Sequence, residues 1–115
     1  MQLHYALIFE PGDVFRWDDI DQVKTKVLVS NPAKNSLENQ INRTQLFING
    51  RAAISWSLTI QNGKRPRDWD TVPPGKSVEM EWQNLAQGLF PEKGDYKLTL
   101  KLEEEVLVEK NVVVE

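Results

Sequence analysis

Val23-Lys24-Thr25-Lys26-Val27-Leu28-Val29-Ser30-Asn31-Pro32 is the stretch that decides the fold. Val23, Thr25, Val27 and Val29 alternate with Lys24, Lys26 and Leu28. That period of two puts valine on one side of an extended chain and lysine on the other. The pattern suits a strand in a sheet with one dry face and one wet face. Asn31-Pro32 ends it, because proline has no N–H to continue a ladder.

The same period recurs on both sides. Upstream, Leu3, Tyr5, Leu7 and Phe9 alternate with His4, Ala6 and Ile8 until Glu10-Pro11-Gly12-Asp13 breaks the run. Downstream, Thr44 to Ile48 leads into Asn49-Gly50, whose tolerance of positive φ at both positions marks a tight hairpin. Arg51 to Gln61 reads as the returning strand, with Ile54, Trp56, Leu58 and Ile60 on one face and a second turn at Asn62-Gly63. Val72-Pro73-Pro74-Gly75 is a turn before the strand Ser77 to Trp82, and Leu85 to Phe90 suits one short helical turn. Pro91-Glu92-Lys93-Gly94 introduces Tyr96 to Leu102, and Glu103 to Glu105 turns the chain into Val106 to Val114. The expectation is an all-β fold: an antiparallel immunoglobulin-like β-sandwich of about seven strands. No linker or repeat divides the chain, so 1–115 reads as a single domain.

Three stretches carry a resemblance: Val27-Leu28-Val29-Ser30-Asn31-Pro32, Val72-Pro73-Pro74-Gly75-Lys76-Ser77-Val78 and Pro91-Glu92-Lys93-Gly94-Asp95-Tyr96-Lys97-Leu98. Their order is similar to that in two groups of mostly bacterial immunoglobulin-like modules, the CARDB-type adhesion-related domains and the intracellular proteinase inhibitor family. The resemblance implies a binding or inhibitory module. It does not supply an inhibitory loop that aligns with this chain. Tyr96 has two roles open to it, a tyrosine corner bonded back to the main chain or a plain core tyrosine.

Composition narrows the chemistry. With 17 acidic and 14 basic residues and a net charge of −3, the chain lacks the basic excess of a protein that holds nucleic acid by charge. There is no cysteine, hence no disulfide or thiol chemistry, and no apolar run long enough to cross a bilayer. The single histidine, His4, falls on a strand face opposite Leu3 and Tyr5, with no serine elbow to serve. Asp13, Asp18, Asp19 and Asp21 lack the oxygen spacing of a calcium loop, and Glu103-Glu104-Glu105 reads as a solvated turn. No enzyme activity and no cofactor are expected. The start of the chain, without a basic and apolar leader, fits either a small cytoplasmic protein or a domain of a longer chain.

The expected function is therefore that of a non-enzymatic protein-interaction or accessory spacer module that presents loops, with a proteinase inhibitor as the alternative and a carbohydrate-binding module as the second. Trp69 lies in the polar segment Lys64-Arg65-Pro66-Arg67-Asp68-Trp69-Asp70, and an aromatic beside Arg65 and Arg67 has the composition of a hot spot. The other role open to Trp69 is a plug, folded down over the end of the sheets. Trp17 is the second candidate. Alternating strands would gather the loops 31–43, 64–70 and 103–105 at one end. The other end would hold Phe15-Arg16-Trp17, Asn49-Gly50 and Leu85 to Phe90 as a lid or a docking surface. Lys24, Lys26, Lys97 and Lys101 are expected to discourage edge-to-edge pairing.

Overall fold

The computed structural model describes residues 2–62 and 64–115. Its strands, in chain order, are β1 (His4–Glu10), β2 (Val14–Phe15), β3 (Lys24–Ser30), β4 (Leu37–Glu38) and β5 (Thr44–Ile48). They continue as β6 (Arg51–Ala52), β7 (Thr71–Val72), β8 (Ser77–Trp82), β9 (Gly94–Leu102) and β10 (Glu105–Val114). Two short helices, α1 (Ile54–Thr59) and α2 (Leu85–Leu89), and 3-10 turns at Trp17–Gln22 and Ile41–Arg43 complete the described chain.

The strands form two main sheets, ordered β1-β3-β8 and β2-β10-β9-β5-β6, and a small pair, β4-β7. The lysine–valine alternation lands as expected. In β3, Thr25, Val27 and Val29 are buried while Lys24 is exposed. Leu7, Phe9 and Met80 from the same sheet join Leu46, Leu98, Leu100, Val112 and Val114 from the other in one apolar cluster. Among the described residues all ladders are antiparallel except one. Val14 and Phe15 of β2 run parallel to Val113 and Val114 of β10, so the chain leaves the first sheet after β1 and enters the second.

The turns follow their residue chemistry. Asn49 and Gly50 both have positive φ, 51° and 84°, and close the β5–β6 hairpin with Ile48 opposite Arg51. Gly75 sits at φ 71° in a turn closed by the Lys76 N–H on the Pro73 carbonyl, at 3.2 Å. The Asn62-Gly63 turn lies partly outside the described residues.

The expected strand from Arg51 to Gln61 is not formed. Only Arg51 and Ala52 pair, and the chain then coils into α1. Two residues along a helix is a rotation of about 200°. The alternating apolar residues therefore split: Trp56 and Ile60 face inward, while Ile54 and Leu58 face solvent. Trp56 decides the outcome. Its ring is fully buried against Trp82, and its indole N–H donates to Thr44 Oγ1 at 3.2 Å, which in turn donates to the Ile41 carbonyl at 2.6 Å.

The lysines also sit elsewhere than on edges. β3 and β9 are interior strands, so Lys24, Lys26, Lys97 and Lys101 guard no edge. The β1 edge is covered instead by Lys110, whose Nζ donates to the Leu7 carbonyl at 2.6 Å and pairs with Asp13 at 2.9 Å.

Candidate functional site

The loop end near Asn31 and Asn39 is bound together by amide side chains. Asn31 is 2% exposed; its Nδ2 donates to the carbonyls of Asn35 and Val72, both at 2.8 Å. Its Oδ1 accepts the Ala33 N–H at 2.9 Å. Asn39 Nδ2 donates to the Trp69 carbonyl at 2.9 Å, while its Oδ1 accepts from Ile41 N–H and from the Tyr5 hydroxyl. Burial raises the Tyr5 hydroxyl pKa, and the Gln40 N–H bonded to its oxygen partly offsets this.

Trp69 belongs to that end and is 2% exposed. Of the two roles open to it, the ring takes the plug and presents no surface to a partner. A polar loop sequence did not keep it outside: the ring is buried while its carbonyl accepts the Asn39 amide. Arg65 is exposed and bonded to Asp70 at 2.7 Å, and Arg67 is exposed. Trp17 is half-buried, its turn packs against α2, and its N–H donates to the Glu115 carbonyl at 2.8 Å. Arg65 and Arg67 thus lie beside a buried tryptophan, and Trp17 sits in a different part of the molecule. The four residues do not converge.

The opposite end is closed by rings. Phe90 is fully buried and lies 5.5 Å from Phe9, 5.7 Å from Phe15 and 5.0 Å from Tyr96, centroid to centroid. Phe15, Leu89 and Phe90 are therefore a lid. Here α1 and α2 touch, with Ser55 Oγ donating to the Gly88 carbonyl at 3.1 Å. A Cβ on Gly88 would stand 2.6 Å from that hydroxyl, so the close approach requires glycine.

The lid carries a surface that was not visible in the sequence. Ile54 and Leu58, one helical turn apart, are 73% and 67% exposed. Grooves of about 500 and 570 Å³ flank them and meet at Gly88. Leu58, Glu81 and Trp82 line the first, and Arg51, Ile54 and Leu89 the second. The signal that would have revealed this face is Gly88, whose missing side chain admits a helix that the period-two pattern hides.

His4 is exposed opposite Ser30, Asp13 is paired with Lys110, and Asp18 lies 3.6 Å from Arg16. Among the described residues no group of three His, Cys, Asp or Glu side chains is placed to hold a metal ion. No helix there is long and apolar enough to cross a membrane. On the outer face of the first sheet, Lys26 bonds Glu10 and lies 3.6 Å from Glu79 and 3.7 Å from Glu81. The hydrogen bond from Lys26 holds the Glu10 carboxyl below its ordinary pKa and raises that of Lys26 itself. No protein-family model matches the chain, and no curated protein matches it.

Proposed function

We propose that this chain is an immunoglobulin-like sandwich module without catalysis of its own, which docks a protein partner on the exposed face of α1. The fold part rests on the sheet order. One sheet is β1-β3-β8 and the other β2-β10-β9-β5-β6, with the first segment changing sheets to join β10 in parallel. The Tyr96 hydroxyl, near the start of β9, donates to the Glu92 carbonyl at 2.6 Å and accepts the Glu92 N–H at 3.3 Å. That back-bond has the form of the tyrosine corner of immunoglobulin-like domains and supports the reading.

The observation that carries the docking is the pair Ile54 and Leu58. Two large aliphatic side chains held in water on one turn of helix, with grooves on either side, form an apolar patch rimmed by Arg51 and Glu81. Covering each contributes about 1.5–3 kcal/mol to an interface. Removing them leaves the core untouched.

A photo-crosslinking residue at position 58, used in cells, tests the site. One dominant adduct, lost when Ile54→Ser is added, is the expected result. Labelling no stronger than from a control position on β9 discards it. The resemblance to proteinase inhibitors makes a protease one class of partner, and titration against purified serine, cysteine and metalloproteases examines that class.

A further inference from the structure

The sheet β1-β3-β8 ends at β8, and among the described residues no other strand pairs with its far side. Which of its main-chain groups face outward follows from the ladder. The Asn31 N–H donates to the Lys76 carbonyl at 2.9 Å, just beyond the partners Ser30 and Ser77. Bonded and non-bonded pairs alternate in an antiparallel ladder. Val29–Val78, Val27–Met80 and Thr25–Trp82 are therefore the bonded pairs. The N–H and C=O groups of Ser77, Glu79 and Glu81 point away from β3. The bond from Lys110 to the Leu7 carbonyl fits the same phase, with Leu7 turned outward on β1 and its partner Val27 turned toward β8. Among the described residues, no other main-chain group and no side chain bonds those outward groups.

Charge selects the occupant. Glu79 and Glu81 stand on the solvent face of this edge, and together with Glu10 they share one ammonium, that of Lys26. A second copy adding its own β8 in antiparallel fashion would set glutamate against glutamate, which destabilises a cross-strand pair. A strand with Lys or Arg opposite Glu79 and Glu81 gains two opposite-charge pairs along with the main-chain bonds.

We propose that the free edge of β8 takes up an extended, basic peptide segment as an added strand, with Lys or Arg at alternate positions facing Glu79 and Glu81. The residues between them lie beside Val78 and Met80 at the core rim, so they are small and apolar. This site shares Glu81 with the rim of the α1 face but uses neither Ile54 nor Leu58.

The probe is a short, terminally blocked peptide alternating lysine and valine, followed by amide hydrogen exchange and by titration. Binding slows exchange at the outward amides of Glu79 and Glu81, while the Met80 amide, already bonded to β3, is unchanged. The Glu79→Gln/Glu81→Gln variant binds about fivefold more weakly, the loss expected for two exposed ion pairs. Glu79→Pro removes an N–H that the native ladder does not use, a change edge strands accept, and it abolishes binding. Ile54→Ser/Leu58→Ser leaves binding intact. Unslowed exchange at Glu79 and Glu81, or equal binding of an alternating glutamate–valine peptide, overturns the proposal. The exchange readout is made on the unaltered chain, so it holds whether or not the proline variant folds.

Discussion

The end of the molecule that holds Asn31 and Asn39 is closed by hydrogen bonds, whereas the end that holds Phe9, Phe15, Phe90 and Tyr96 is closed by rings. The two closures differ in what they demand. Ring contacts are non-directional and spread over many atoms, so the lid tolerates small shifts and carries a helix on its outside. The amide bonds are directional, and each asparagine satisfies main-chain groups from segments far apart in sequence. That end can stay irregular over 31–43 and still be fixed, because its buried polar groups have partners.

Three substitutions sharpen or break this contrast. Phe90→Ala should have the largest effect, since it removes the ring at the centre of the lid. A loss of about 3–5 kcal/mol in urea unfolding is expected, and a loss near zero would mean the rings are not the closure. Next comes Asn31→Ala, which orphans the Val72 and Asn35 carbonyls and the Ala33 N–H. About 2–3 kcal/mol should be lost, with hydrogen exchange rising first at residues 33 and 75. Uniform loosening of both ends would argue against a local clip. Smallest is Gly88→Ala, which forces Ser55 away and costs about 1–3 kcal/mol. Adding Ser55→Gly should recover much of that, and failure to recover it would place the strain elsewhere.

How much of this was legible follows from where each residue finds its partners. The Val23–Val29 alternation, Asn49-Gly50 and the Pro74-Gly75 turn are local signals, and the structure carries all three. The Ile54–Ile60 alternation is local too, yet it misleads. A period of two is compatible with a helix when the two apolar faces have different fates, one in the core and one in solvent. Tyr96 names its own acceptor only after the Pro91–Gly94 turn is folded. Trp69 and the asparagines were opaque for a different reason: their partners lie some thirty to forty residues away. Nothing near Trp69 in sequence announces Asn39. The acidic edge of β8 required knowing which strand has no neighbour, and only the sheet order supplies that.

The parallel pairing of β2 with β10 bears on how the protein is made. Val14 and Phe15 pair with Val113 and Val114, the Val113 and Glu115 N–H groups donate to the Asp13 and Phe15 carbonyls, and the Trp17 N–H donates to the Glu115 carbonyl, so about a hundred residues separate the two halves of this ladder. On a ribosome, β1, β3 and β8 can assemble, and Phe15 can meet Phe9 and Phe90, while β10 is still unsynthesised and the main chain of β2 has no ladder partner. Until β10 emerges, β2 is an unpaired strand edge, and such an edge is what a chaperone can grip.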